Sequence, residues 1–295
     1  FEDREKSEIK GIWGATADED SRPDLAEGTP YVNRPDQGGK ENGNRKKFSV
    51  SWRPDEAMSV YALYSEGYRP GGNNISVLPI GCRNDPNAQY FQTRYESDAI
   101  DNYEIGYKAS LFGNKMRIST AAYQIDWEGV QAEIDMGCGF SYLANAASAR
   151  SRGLELETST SLTDDLTLTV NAGYVNAEML EDVDSIGAKA GDDMTQVPKY
   201  NIYMALDQGF QAFDRQAFVR LDVEAYGEYK THFNPSSDTP DEDTSPSYEL
   251  VNLSGRIELA DGINASVHVK NLFDKDIVSW RSTTGNSYGG YHFIC

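Results

Sequence analysis

Short and long connections alternate strictly along this 295-residue chain. Segments in which apolar and polar residues alternate predict about eleven strands, at residues 1–13, 46–54, 57–68, 99–111, 115–127, 151–161, 165–176, 199–209, 213–226, 247–259 and 263–272. The predicted short connections are Pro54-Asp55-Glu56, Phe112-Gly113-Asn114, Leu162-Thr163-Asp164, residues 209–212 and Ala260-Asp261-Gly262. The predicted long connections are 14–45, 69–98, 128–150, 177–198 and 227–246. Short turns at one end and long loops at the other are typical of an outer-membrane barrel, whose long loops lie outside the cell.

The segment 247–275 shows most clearly that each strand has two faces. Val251, Leu253 and Ile257 alternate with polar residues on its first arm, and Asp261-Gly262 is a strong hairpin signal. In a barrel the apolar face meets lipid and the polar face lines the lumen. The charged side chains expected to share this polar interior are Glu155, Glu157, Arg220, Asp222, Glu224, Arg256 and Glu258.

Charge and hydropathy exclude two classes of protein. The net charge of -20, from 47 acidic and 27 basic residues, argues against a nucleic-acid partner, which requires a basic face. No run of about 18 apolar residues is present, so no transmembrane helix is predicted. The first residues do not resemble a signal peptide and already read as a strand, which indicates a processed or truncated N-terminus.

Tyrosines and tryptophans near the strand ends predict an aromatic girdle at the membrane interfaces. They are Trp13, Trp52, Tyr61, Tyr64, Tyr68, Tyr123, Trp127, Tyr174, Tyr200 and Tyr226. The alternative is that these aromatics cap the core of a soluble sheet.

An odd strand count leads to an expectation about closure. Closed bacterial barrels have an even number of strands, and residues 282–295 contain no convincing returning strand. We therefore expect the chain to stop before its barrel closes, with other chain segments completing it, because an open edge in lipid leaves hydrogen bonds unmet.

Five short sequence segments, in this order, resemble the C-terminal half of the β-barrel of TonB-dependent outer-membrane receptors. They are VYALYSEGYRPGG (60–72), NYEIGYK (102–108), AYQIDWEGV (122–130), NAASARSRGLELE (145–157) and VKNLFDK (269–275). The resemblance implies an all-β, antiparallel transmembrane β-barrel of 22 strands closed by a plug, of which eleven strands are about half. Residues 1–295 are then the C-terminal portion of the barrel, without the plug domain and the closing strand.

The resemblance also implies a function and a set of partners. The barrel would lie in the outer membrane and take up a scarce small-molecule ligand, such as an iron–siderophore, with energy relayed by TonB. The expected partners are outer-membrane lipid and lipopolysaccharide, the plug domain, TonB through the plug, and the ligand. Two alternatives stay open from the pattern: a passive porin, and a soluble secreted β-sandwich that acts as an adhesin or carbohydrate-binding module.

Two cysteines in neighbouring long loops form a candidate disulfide. Cys82 and Cys138 would lie outside the cell, where disulfides persist, and a bond would tie the two loops together. The alternative is two independent thiols.

Ligand contact in such a scaffold is a property of the loops. The candidate contacts are therefore Arg69 and the aromatic residues in or beside the long loops: Tyr68, Tyr90, Phe91, Phe140, Tyr142, Phe233, Trp280 and Tyr288. Arg69 either meets an anionic ligand or pairs with Glu66 or Glu104, and the pair is favoured.

The sequence contains no motif that predicts an enzyme. Nucleophile elbow, catalytic triad, P-loop and dinucleotide fingerprint are all lacking, so we predict no catalytic residue and no cofactor. His232, His268 and His292 are dispersed without metal-ligand spacing, so no metal site is predicted either.

Overall fold

The structure, a computed structural model, describes residues 2–5, 10–12, 30–32, 39–75, 77–145, 147–233 and 244–277, with side chains from residue 43 onward. Its strands in chain order are β1 (Glu2–Glu5), β2 (Lys10–Ile12), β3 (Pro30–Val32), β4 (Gly39–Asn42), β5 (Lys47–Asp55), β6 (Met58–Gly67), β7 (Gly72–Asn73), β8 (Arg94–Tyr95), β9 (Ala99–Leu111), β10 (Met116–Glu128), β11 (Gln131–Asp135), β12 (Ser141–Asn145), β13 (Ala149–Ser161), β14 (Leu166–Met179), β15 (Tyr200–Ala212), β16 (Arg215–Tyr226), β17 (Tyr229–Lys230), β18 (Thr244–Ser245), β19 (Tyr248–Ala260) and β20 (Ile263–Val269). Two short 3₁₀ helices cover Ile80–Cys82 and Pro86–Tyr90. Among the described residues, no helix is long and apolar enough to cross a membrane.

Ten of these strands form one antiparallel sheet, which we call the wall. Its order is β5-β6-β9-β10-β13-β14-β15-β16-β19-β20, so each strand pairs with its neighbours along the chain. This meander confirms the predicted all-β antiparallel barrel fold. Within the described residues β5 and β20 each pair on one side only. The predicted first strand, 1–13, does not join the wall, because its described parts β1 and β2 pair with β4 and β3 in separate two-stranded sheets.

The alternation of connection lengths is present in the wall. Its short connections are 56–57, 112–115, 162–165, 213–214 and 261–262, and its long ones are 68–98, 129–148, 180–199 and 227–247. The turn predicted at 209–212 is wrong in position, because β15 continues to Ala212. Phe213 and Asp214 make the turn instead, with φ of 54° and 58°. Two successive positive φ angles give a hairpin turn whose twist matches that of the flanking strands.

The register of the wall aligns apolar residues into one band. Val50 lies opposite Ala62, Ala62 opposite Ile105, Ile105 opposite Ala122, and Ala122 opposite Leu154. We call these five residues the apolar band. Val50, Ile105 and Leu154 are 72%, 57% and 58% exposed, although side chains of this kind are normally buried. An uncovered apolar face of this width is what lipid contact requires.

The opposite face of the wall is polar, and it carries the charged side chains that the sequence assigned to a shared interior. Tyr61, Tyr123, Trp127 and Tyr226 also point to this face, so their predicted place in an outward girdle is wrong, and Trp13 lies outside the described residues. Tyr61 and Tyr123 each lie across a strand pair from a glycine: a Cβ on Gly106 would lie 2.3 Å from the Tyr61 ring, and one on Gly153 would lie 2.4 Å from Tyr123. The strand period of two decides the face, and position near a strand end does not.

Candidate ligand-recognition loops

A disulfide joins the first two long loops of the wall, 68–98 and 129–148. It connects Cys82 to Cys138, which are 56 residues apart, with a Cα–Cα distance of 5.4 Å. The second loop folds into its own hairpin, in which β11 and β12 pair from Gln131 and Asn145 at the base to Asp135 and Ser141. The crosslink therefore fixes a loop to a hairpin that already has backbone order.

An apolar cluster surrounds the disulfide. Its buried members are Cys82, Ile134, Met136, Tyr142 and Ala144, and the half-buried side chains packed on them are Leu78, Ala88, Tyr90, Phe91, Phe140 and Ile186. Tyr142 is only 3% exposed. Its ring meets Phe91 edge-on at 5.2 Å, its hydroxyl donates to the carbonyl of Asn87 at 2.8 Å, and burial raises its pKa. Four of the candidate contact residues, Tyr90, Phe91, Phe140 and Tyr142, thus pack within the loops.

Side-chain amides link the backbones of the same two loops. Asn74 accepts from the amide of Leu143 at 3.0 Å and donates to its carbonyl at 2.6 Å, so its side chain imitates a strand partner. Asn145 accepts from the amide of Glu96 at 2.6 Å and donates to its carbonyl at 2.9 Å. Side-chain amides of this kind produce no periodic pattern in the sequence, so their linking role is seen only in the folded structure.

Arg69 lies at the junction between the wall and the loops. Its Nε donates to Asp98 Oδ2 at 2.6 Å, and its backbone amide donates to Asp98 Oδ1 at 2.6 Å. Trp127 Nε1 donates to Asp98 Oδ2 at 2.9 Å, and the Arg69 guanidinium lies 4.7 Å from the Trp127 ring centroid. The expected pairing of Arg69 is therefore present, but the partner is Asp98 rather than Glu66 or Glu104. Asp98 precedes β9 directly, and its side chain has no exposed surface.

A second apolar cluster continues the first into the third long loop. Its buried members are Val130, Ala149, Met179, Val183 and Ala188, and Trp127, Ala147, Ile186, Met194 and Phe233 pack on them. Ile186 contacts both clusters, so loops 68–98, 129–148 and 180–199, together with Phe233, share one apolar interior, which we call the loop core. Phe233, a fifth candidate contact, is part of this core.

The loop core lies on the polar side of the wall. Trp127, Ala149 and Met179 are aligned across β10, β13 and β14, and by register they share the face of Tyr123. All three contribute to the loop core, so the loops fold over the polar face and not over the apolar band. Below them, a cavity of about 380 Å³ is lined by Tyr123, Glu155, Glu157, Asn201 and Tyr203 among others.

The third long loop is held by a lysine between two carboxylates. Lys189 Nζ lies 3.5 Å from Asp182 Oδ2 and 3.2 Å from Asp184 Oδ1, and these contacts raise its pKa, with the Asp184 bond as the largest cause. The amide of Ala190 donates to Asp182 Oδ1 at 2.9 Å, which lowers the pKa of that carboxyl. No group of three or more His, Cys, Asp or Glu side chains in the described part of the chain is arranged to hold a metal ion.

The remaining candidate contacts have different places. Tyr68 is half-buried, with the Arg45 guanidinium 4.8 Å from its ring centroid. Arg69 keeps 44% of its side chain exposed despite its bond to Asp98. Trp280 and Tyr288 lie outside the described residues.

An antiparallel wall with an apolar outer face, a polar inner face and long loops folded over the inner side defines the barrel of an outer-membrane receptor. The sequence profile described as "TonB dependent receptor-like, beta-barrel" matches residues 19–272. The chain therefore belongs to the TonB-dependent receptor β-barrel family, and its location is the outer membrane.

Known receptors share this wall. The chain is 29% identical to the metal-pseudopaline receptor CntO of Pseudomonas aeruginosa over 234 residues, which are 78% of this chain and 29% of the relative. The ferric yersiniabactin uptake receptor FyuA from Yersinia pestis matches with a TM-score of 0.68 at 20% identity, over 88% of this chain and 36% of that one. The ferric-catecholate import receptor Fiu of E. coli, in its closed form, matches with a TM-score of 0.72 at 16% identity, over 98% of this chain and 39% of that one. The chain thus spans about a third of the length of the proteins it matches.

Proposed function

We propose that this chain supplies part of the wall and the outer recognition loops of a receptor for TonB-dependent uptake of a metal–chelator complex, such as an iron–siderophore. The observation that carries the proposal is the loop core, which joins three long loops over the polar side of the wall. The relatives support the ligand class, because one relative is a metal-pseudopaline receptor and two solved structures are a ferric yersiniabactin uptake receptor and a ferric-catecholate import receptor.

The proposed mechanism is selective binding followed by release into the lumen, with no bond made or broken. The loop core presents a fixed surface at the mouth, and the charged polar face below it holds the plug and lines the route. TonB acts through the plug. The wall is a portion of a larger barrel, in which further strands of a longer chain pair with β5 and β20, because an unpaired edge in lipid costs several kcal/mol per group.

We assign the candidate contact residues to two roles. Tyr68 and Arg69 keep exposed surface beside the mouth and are the proposed ligand contacts. Tyr90, Phe91, Phe140, Tyr142 and Phe233 act indirectly, because they hold the loop core together. Trp280 and Tyr288 stay predictions.

The direct test is uptake by the full-length receptor in cells that lack other metal-chelate receptors. Cells with the receptor and TonB should accumulate a radiolabelled ferric or zinc chelate, and cells without TonB should not. Accumulation that persists without TonB would favour the passive porin. No accumulation of any chelate tested, with the receptor correctly folded in the outer membrane, would contradict the ligand class.

A further inference from the structure

A tyrosine lying flat on a glycine occurs twice on the polar face of the wall, in equivalent positions. In the first unit Tyr61 on β6 lies opposite Gly106 on β9. In the second unit Tyr123 on β10 lies opposite Gly153 on β13. A Cβ on these glycines would fall 2.3 Å from the first ring and 2.4 Å from the second, so each ring lies against the backbone of the next strand. The other surface of each ring faces the lumen and can accept a partner there.

The first unit contains its own ammonium group. Lys108 follows Gly106 by two residues towards the short turns, and its Nζ lies 5.7 Å from the centroid of the Tyr61 ring. This distance is within the range of a cation–π contact. The Tyr61 hydroxyl donates to Glu104 at 2.6 Å, so a carboxylate lies at the polar end of the same ring. Ring, carboxylate and ammonium group are therefore all supplied by the wall itself.

The second unit has a carboxylate where the first has its ammonium group. Both β9 and β13 run from the long loops to the short turns, and Glu155 follows Gly153 by two residues just as Lys108 follows its glycine. The partners of Glu155 across the sheet are Ala121 and Gly173, which carry no charge. In the described part of the chain Glu155 makes no ion pair. The second unit thus lacks the cation that the first one provides.

The cavity beneath the loop core lies beside this second unit. Tyr123 and Glu155 line it together with Asn171, Tyr203 and Tyr226 among others, and its volume is about 380 Å³. Within the described residues no lysine, arginine or histidine belongs to this lining. Tyrosine rings attract a cation through their quadrupole, and an unpaired carboxylate attracts it by Coulomb interaction. The chemistry of the cavity therefore suits a positively charged group that comes from outside the wall.

We propose that this cavity is a subsite for a protonated amine of the transported chelate, which lies over the Tyr123 ring and pairs with Glu155. The inference rests on the proposed function and deepens it, because it names a chemical group that the ligand carries. A basic side chain of the plug offers the same ammonium chemistry. The position directly under the loop core, on the side from which the ligand arrives, favours the ligand.

The test measures binding of butylammonium to the folded full-length receptor by saturation-transfer NMR, with butanol as the neutral counterpart. The wild type should bind butylammonium, and it should bind butanol about tenfold more weakly, the order of one charge-assisted contact. Glu155→Gln should weaken butylammonium binding about tenfold. Glu128→Gln is the matched control, because it removes the same charge on the opposite face of β10 and should leave binding unchanged.

A second pair of variants tests the ring. Tyr123→Phe keeps the aromatic face and should retain butylammonium binding, whereas Tyr123→Leu removes it and should weaken binding several-fold. Equal weakening by both variants would contradict the cation–π contact.

Equal binding of butylammonium by wild type and Glu155→Gln would overturn the proposal, and so would equal binding of butylammonium and butanol by the wild type. Absence of butylammonium binding in the wild type would also overturn it, since the plug would then occupy the cavity. Chelate uptake in cells is a separate measurement. Uptake without butylammonium binding would contradict the subsite alone, and butylammonium binding without uptake would contradict the ligand class alone.

Discussion

Replacing Asp98 by alanine should loosen the first two long loops while the wall stays folded. Asp98 accepts three hydrogen bonds: from the amide and Nε of Arg69, at 2.6 Å each, and from Trp127 Nε1 at 2.9 Å. Arg69 begins the first loop and Trp127 lies near the end of β10, so one carboxylate joins both. The substitution removes the acceptor of all three hydrogen bonds together.

The magnitude follows from the burial of the two partners. Removing one member of a fully buried ion pair costs about 3–5 kcal/mol, because the other charge stays buried and unpaired. The Asp98 side chain is fully buried, but 44% of the Arg69 side chain remains in water, which reduces the penalty. The orphaned Trp127 N–H adds a penalty of its own. We therefore expect a loss of about 2–4 kcal/mol in local stability, which lowers hydrogen-exchange protection by roughly thirty- to several-hundredfold.

Hydrogen exchange of the folded full-length receptor measures this loss where it occurs. Peptides from 68–75 and 92–98 should exchange faster in Asp98→Ala, and peptides from β14 to β16 should not change. Asp98→Asn should have a smaller effect in the same peptides, because its amide group keeps the size but turns one acceptor into a donor. Asp184→Ala is the control, since it removes an exposed partner of Lys189 and should leave these peptides unchanged.

Unchanged protection of 68–75 and 92–98 in Asp98→Ala would contradict this role of Asp98. It would mean that the disulfide and the loop core hold the loops without the Asp98 junction. Faster exchange throughout the wall would also refute it, because the junction would then support the barrel and not the loops.

Three further predictions concern the loops and the polar face. Replacing Cys82 and Cys138 together by serine should speed amide hydrogen exchange in β11 and β12 and leave the wall unchanged, with a loss of local stability of at most about 2–4 kcal/mol. A loss of stability throughout the wall would contradict this local role of the disulfide. Gly153→Ala should lower the free energy of unfolding in urea by about 1–3 kcal/mol, because a Cβ there would lie 2.4 Å from Tyr123. Adding Tyr123→Ala should relieve that loss, and additive effects of the two substitutions would contradict the contact. The hydrogen bond from Ala190 lowers the pKa of Asp182 in the folded loop. The stabilisation of the loop by ionised Asp182 is therefore present above the ordinary aspartate pKa of about 3.9, and it is lost as the pH falls through the lower pKa of the folded state. Exchange of 182–192, corrected for intrinsic rates, should accelerate in that acidic range, and Asp182→Asn should reduce the pH dependence, with Asp184 beside Lys189 accounting for the part that remains.

Local pattern in the sequence determined the wall. Successive side chains of a strand point to opposite faces, so the sequence alone predicts that Leu154 and Glu155 lie on opposite faces of β13, without knowledge of the neighbouring strands. Turn chemistry did the same at Asp261-Gly262. The turn prediction was wrong at 209–212, because Gly209 lies inside β15. The two turn residues with positive φ are Phe213 and Asp214, and neither is a glycine that would have indicated a turn.

The packing of the long loops depends on tertiary contacts and could not be predicted from local pattern. Their backbones have no period, and their contacts come from side chains far apart in sequence, such as Asn74 with Leu143 and Arg69 with Asp98. The aromatic residues Tyr90, Phe91 and Tyr142 looked like ligand contacts because aromatic residues in a loop are equally suited to a binding surface and to a small core. Which of the two they form depends on the other loops that cover them, and that information is held by the packing of several segments together and not by any one segment.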